Sequence, residues 1–393
     1  MAGYLTYIID GLLWILMAAS TLYVVFFAIA SLFTRQRRPS AAPSHRSSFL
    51  ILYPAYHEDA VIITSIQKFL QQTYPADLYH VAVISDHMMP ETNQQLRAFP
   101  ITVHTPAFEK SSKAKALQYA LDNTPDVYDY VVILDADNVV RPDFLMQLNA
   151  VCQQGHQAIQ CHRCAKNADN DIAVLDGVSE EINNTLFRKA HNTVGLSSAL
   201  IGSGMCFRFD WFRQHVGALN SAVEDRELET MLAKENIFVK YEEDIHVFDE
   251  KVSNADNFQR QRLRWMTGQV QSLILMLPYV PTALVKGNIN YIDKTVQQAL
   301  IPRSILIVLT VAFSLLSTLI ACFALHSLFF TLKWWALLLL LALSLLTAMP
   351  APLRSRAVIG RLTKLPHLVW RMMANVGKID HKNKEFIHTT HNK

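Results

Sequence analysis

A mostly parallel, doubly wound α/β domain, held to a membrane by about three helices, is the fold this sequence predicts. Three observations predict it. From Ser48 onward, short apolar runs alternate with segments of helical spacing, which is the pattern of repeated β-α units. One such run, Val131-Val132-Ile133-Leu134, ends directly in Asp135-Ala136-Asp137. A buried strand that ends in carboxylates places them at the carboxyl edge of a sheet, where α/β folds bind ligands. Three apolar stretches, at about 4–33, 301–325 and 329–349, are long enough to cross a bilayer, which takes roughly 20 residues.

Each element follows in order. The first apolar stretch contains a single charge, Asp10, and is followed by Arg35, Arg37 and Arg38. A cleavable leader carries its positive charge before the apolar run, so 1–35 reads as an uncleaved anchor with its carboxyl end cytoplasmic. Residues 36–47, rich in Pro and Ser, form a linker. Within 48–265 the pattern gives strands at 49–53, 80–85, 101–104 and 130–134, and helices at 59–72, 113–121, 172–191 and 225–236. Residues 266–300 are apolar in patches, but Pro278 and Pro281 interrupt them, so interfacial helices are expected there rather than a span. Two spans occupy 301–350, joined by a short link with little charge near it beyond Lys333. Arg354, Arg356 and Arg361 open a basic, amphipathic tail over 351–393. The basic flanks then share one side with the 48–265 domain. The expectation is an integral protein of a bacterial inner or plasma membrane with that domain in the cytoplasm.

The bulk composition agrees. Of 393 residues 51% are hydrophobic, and the formal net charge is +3, which gives no footing for a nucleic-acid partner. Cys152, Cys161, Cys164, Cys206 and Cys322 are odd in number and scattered, which fits a reducing compartment. His156, Cys161, His162 and Cys164 bring a zinc site to mind. With one Cys-x-x-Cys only, they read as structural.

The chemistry-bearing residues fall in a fixed order. Asp135 and Asp137 can hold a divalent cation and, through it, a diphosphate. Glu224-Asp225 is a second carboxylate pair, able to act as a base. Gln261-Arg262-Leu263-Arg264-Trp265 sits where the domain meets the apolar region. Arginine there can bind phosphate bidentately, and tryptophan can offer a flat face. Alone, each fragment has a plain structural explanation: a βα turn, a helix cap for Asp225, an interfacial anchor for the Arg-Trp pair. Together, over about 48–270, they resemble the membrane-bound family 2 glycosyltransferases, the group that contains cellulose, chitin and hyaluronan synthases.

That resemblance implies a GT-A type, Rossmann-like domain that transfers sugar from a UDP-sugar. Leu52-Tyr53-Pro54-Ala55-Tyr56-His57-Glu58 resembles the base-pocket segment, with His57 in place of the usual Asn. Tyr56, Glu58, Asp86, Lys113, Asp135, Arg262 and Arg264 are its implied nucleotide-sugar residues. Asp137 is the implied ligand for Mg²⁺ or Mn²⁺, and Asp225, preceded by Glu224, the implied catalytic base. Gly202, Ser203, Gly204, Gln261 and Trp265 are implied to meet the acceptor. The acceptor is expected to be a growing β-linked polysaccharide, with a single lipid, giving a glycolipid, as the alternative. Three spans are few for an export channel, so the polymer reading calls for a homo-oligomer or an export partner. A scaffold that binds the donor without transfer is a third reading.

Overall fold

The computed structural model describes residues 2–34, 45–221, 223–252, 254–325 and 328–361. Arg35, Arg37 and Arg38, most of the basic tail, and a carboxyl-terminal Phe-Ile-His-Thr-Thr-His stretch lie outside the described residues.

Eight strands form one mixed sheet: β1 (Phe49–Tyr56), β2 (Tyr79–Asp86), β3 (Thr102–His104), β4 (Tyr130–Ile133), β5 (Val139–Val140), β6 (Ala158–Ala165), β7 (Met205–Arg208) and β8 (Val239–Asp249). Their order is β3-β2-β1-β4-β7-β6-β8-β5. The first four run parallel, as the β-α alternation predicts. β7 enters antiparallel between β4 and β6, and β6 and β8 pair in parallel with a bulge between Cys161 and His162. The sheet is covered on both faces, which is why β1 reads as an unbroken apolar run. Phe49, Ile51 and Tyr53 enter one core cluster, and Leu50 and Leu52 enter the opposite one, as the two-residue period of a strand requires.

Strand β1 runs three residues beyond its expected end, through Pro54-Ala55-Tyr56. Both β1 and β2 then turn through a non-glycine residue in the left-handed region, His57 at φ 54° and His87 at φ 56°. These turns gather Tyr56, His57 and His87 at one edge, with ring centroids 4.5–5.6 Å apart. The expected 172–191 helix is helical throughout but changes pitch. It begins as Asp171–Asn183, widens into a π-turn over Asn184–Lys189 and resumes at Ala190–Thr193. The helix expected to open at Asp225 opens one residue earlier, as Glu224–Lys234.

Among the described residues four helices, where three spans are expected, are long and apolar enough to cross a membrane: Tyr7–Phe33, Asn257–Val285, Arg303–Phe323 and Leu328–Ala348. The additional one overlaps the start of the 266–300 stretch, where interfacial helices are expected, and that stretch is largely helical. Pro278 falls in a 3₁₀ turn at Leu277–Tyr279, and Pro281 in the first turn of the Val280–Val285 helix. A first-turn proline removes no hydrogen bond, so the helical path continues. The amino-terminal helix, Arg303–Ile320 and Leu328–Ala348 pack around Met17, Phe27, Trp334, Leu337 and Leu341. Asp10 and Lys333, each isolated in its apolar stretch, are partners: Lys333 Nζ donates to Asp10, and Trp334 Nε1 donates to the same carboxylate at 2.8 Å. Pairing is what makes such charges tolerable within apolar helices.

Candidate active site

The carboxyl edge of the parallel strands is the floor of the site. Strand β2 delivers Asp86, which is 3% exposed and accepts from His87 Nδ1 at 2.6 Å. Strand β4 runs out into Asp135-Ala136-Asp137. The helix Lys113–Asp122 starts at the same edge, capped by Ser112 Oγ, which accepts from the Lys115 N–H at 3.2 Å. Its first residue, Lys113, therefore points at the acids. Lys113 Nζ donates to Asp135 Oδ1 at 2.5 Å and to the Gly202 carbonyl at 2.6 Å, and lies 3.4 Å from Glu224 Oε1. Lys115, two residues on, bonds instead to the Lys110 carbonyl.

This buried cluster moves its own titrations. Burial opposes the Lys113 charge, but the carboxylates of Asp135, Glu224 and Asp225 outweigh it and hold the ammonium up at about 12. Burial pushes Glu224 up to about 7; Lys113 pulls it down, while Asp225 and Asp135 push the same way as burial. Gly202 sits against the pair in a left-handed conformation, φ 82°. A Cβ there would lie 3.7 Å from Asp225 Oδ2 and 3.9 Å from Glu224 Oε1, so glycine brings backbone up to both carboxylates.

Asp137 is 4% exposed. Its Oδ2 accepts from the Glu250 N–H at 2.7 Å and its Oδ1 from Asn138 Nδ2 at 3.2 Å. Behind it lies a buried ionic network absent from the sequence reading. Lys251 Nζ donates to Glu180 Oε2 at 2.5 Å and to Asp249 Oδ2 at 2.8 Å, and Arg163 pairs with Glu180 at 3.0 Å. Burial alone would raise Glu180, but Arg163, Lys251 and Arg188 hold it well below the usual carboxylate range. The sequence marks one side of it, because β8 ends at Asp249 and runs out into Glu250-Lys251 as β4 runs out into its acids, but it does not reveal the partners.

The fourth wall is the Ala255–Met276 helix, which carries Gln261, Arg262, Arg264 and Trp265. The Arg262 guanidinium stacks 4.4 Å over Trp265 and 4.8 Å over Phe258, and donates to Asp176. Its Nε, like Gln261 Oε1, is buried with no hydrogen-bond partner among the described residues. This helix comes close to the acids through Gly268, where a Cβ would meet Val223 Cγ1 at 2.6 Å. Val223 immediately precedes Glu224.

One cavity of about 1170 Å³ joins these walls. Tyr56, Glu58, Asp86, Lys113, Asp135, Asp137, Gly202, Glu224, Asp225, Gln261, Arg262, Arg264 and Trp265 all line it. Two expected acceptor residues do not. Ser203 is fully buried behind the wall with its hydroxyl on Asn138, and Gly204 packs beneath Val247. The glycine stretch runs into β7 before any helix, which explains why only Gly202 reaches the cavity. The cysteine and histidine set stays structural: Cys161 is buried in β6, and His162 bonds to Tyr241 and Glu181.

A mixed sheet with carboxylates at the parallel edge and a second acidic pair across a cavity defines a GT-A type, nucleotide-sugar-using class of protein. The chain belongs to glycosyl transferase family group 2, whose model matches residues 130–351. The fold is similar to that of the mannosyltransferase PcManGT from Pyrobaculum calidifontis, solved with GDP-Man and Mn²⁺: TM-score 0.51 and 18% identity, covering 84% of this chain and 99% of that one. More distant are S. aureus TarS residues 1–349, at TM-score 0.41 and 13% identity over 84% and 92% of the two chains. Glucosyl-3-phosphoglycerate synthase from Mycobacterium tuberculosis matches at TM-score 0.39 and 18% identity over 57% and 80%. No curated protein matches the chain.

Proposed function

We propose that this glycosyltransferase is a metal-dependent, inverting enzyme that moves a sugar from a UDP-sugar to an acceptor hydroxyl held at the membrane side of the cavity. One observation carries the reading: Asp135, Asp137, Glu224 and Asp225 line the same cavity, with Lys113 between the two pairs. Asp86, buried at the end of β2, accepts from an N–H of the base, with Tyr56 and Glu58 beside it. Lys113 and Arg264 stand as fixed positive charge near the phosphates, and Arg262 keeps an Nε–H for an oxygen. Asp225 takes the acceptor proton as the hydroxyl oxygen bonds to the anomeric carbon. The bond from that carbon to the diphosphate breaks, the electron pair leaves with UDP, and a single in-line displacement inverts the centre.

The residues fit a hard divalent ion. Among the described residues no group of three or more His, Cys, Asp or Glu is arranged to hold one. Mg²⁺-type sites with one or two carboxylates, completed by substrate phosphates, are nevertheless common. Asp137 would hold the ion, with Asp135 beside it and steadied by Lys113. When bound, Mg²⁺ or Mn²⁺ neutralises the developing diphosphate charge. The catalytic domain, anchored by helices that can cross a membrane, is read as facing the cytoplasm. The acceptor is either a growing β-linked polysaccharide, exported with the help of further copies or a partner, or a single lipid.

The test is turnover of labelled UDP-sugars by the full chain in lipid nanodiscs, with Mn²⁺ or Mg²⁺ and after chelation. The reading expects transfer from one donor, lost on chelation and restored by the ion. Transfer that survives chelation would contradict the metal's role, and no turnover of any donor would contradict the reading itself.

A further inference from the structure

The cavity does not end at the sugar-transfer residues. Past Trp265 it continues between Arg303–Ile320 and Leu328–Ala348, where Val311, Leu315, Leu338, Leu341, Leu345 and Met349 form its walls. Both helices are of membrane-crossing length and composition. From these facts, and resting on the transferase reading above, we infer that the acceptor is a single hydroxyl-bearing membrane lipid. Its apolar chain lies in this groove and its head reaches Asp225.

Three arguments select a lipid over a sugar chain. The first is the wall chemistry. Each sugar hydroxyl drawn between aliphatic side chains would lose its water without gaining a partner, at a cost of roughly 1–3 kcal/mol on the scale of protein substitutions. A hydrocarbon chain loses nothing there. The second is access. Val311, Leu315 and Leu346 line the groove and are solvent-exposed, so the groove is open rather than sealed among these apolar helices and a chain can enter it. The third is the step between the two environments. Arg303 opens its helix there, its Nη2 bonded to the Ser179 carbonyl at 2.9 Å and hydroxyl at 2.7 Å, and its Nη1 has no partner among the described residues. The neighbouring Arg262 Nε is likewise without one. Two guanidinium nitrogens left over at the boundary suit an oxygen-rich head between an apolar chain and a transferable hydroxyl.

The experiment uses the full chain in nanodiscs of defined phospholipid, loaded with total membrane lipid extract, and the labelled UDP-sugar panel with Mn²⁺. Product is separated into solvent-extractable and water-soluble fractions. Two variants narrow the groove from opposite walls, Ala312→Trp and Ala342→Trp, and a variant counts as folded when UDP with Mn²⁺ still shifts its melting. The inference expects label in the solvent-extractable fraction, one sugar per lipid, and a KM for extracted lipid raised about tenfold or more in a folded variant. A water-soluble product that lengthens with time, or an unaltered KM in both folded variants, would overturn the lipid while leaving the transferase intact. Absence of donor turnover by the parent chain with every acceptor would overturn the transferase reading and the inference with it.

Discussion

The two ends of the cavity are built by opposite rules. At the sheet edge, charge is buried and always paired: Lys113 among three carboxylates, and Asp137 backed by the Asp249–Lys251–Glu180–Arg163 network. In the groove the walls are aliphatic, and Asp10 and Lys333, from two of the apolar helices, pair with each other. The polar end is rigid, because each buried ion leaves its partner uncompensated if it moves, at a cost of about 3–5 kcal/mol. The apolar end demands only volume and hydrophobicity. Precision is concentrated where bonds change, and tolerance where a chain of variable length would lie.

The join between the two ends is the place to break this comparison. Gly268 brings the Ala255–Met276 helix against Val223, one residue from Glu224. In an exposed helix, alanine would stabilise by about 1 kcal/mol relative to glycine. Here its Cβ would meet a branched side chain at 2.6 Å, and overpacking costs about 1–3 kcal/mol. Gly268→Ala should therefore lower both the melting temperature and kcat, with donor KM little changed. A melting temperature raised by the substitution would show that the helix and the acidic pair are not in tight contact.

A smaller effect sharpens the account of the polar end. Glu224 has an ordinary value of 4.5 and is held at about 7 by burial. Its contribution to stability is thus complete below about 4.5 and lost as pH rises through about 7, where the buried carboxyl ionises. Over the same interval it gains charge beside Lys113. The pH–rate profile should show an inflection near 7 that disappears in Glu224→Gln. An inflection unaltered by the substitution would belong to another group.

Much of the polar end was legible because its residues sit at fixed points on a strong pattern. A buried strand must stop somewhere, and carboxylates at its end can only be at the sheet edge. That located Asp86, Asp135 and Asp137. The Glu224-Asp225 helix start was legible within one residue. The ionic network was not, because Arg163, Glu180 and Lys251 come from three elements whose adjacency depends on β7 inserting antiparallel between β4 and β6. Ser203 and Gly204 read as cavity-facing because a glycine-rich stretch does not disclose which of its residues faces inward. Pro278 and Pro281 mark the 3₁₀ turn and the short helix that follow Met276, and the sequence did not show that the helical path before them, from Ala255, is so long. Asp10 and Lys333 were both visible, and only tertiary packing joins them.

The most direct measurement compares Asp225→Asn with the parent chain in single-turnover sugar transfer and in UDP binding with Mn²⁺. The account predicts a loss of transfer on the order of 10²–10⁴-fold, the range of a removed general base, with nucleotide affinity retained. Transfer by Asp225→Asn at the parent rate would contradict it and remove Asp225 as the base.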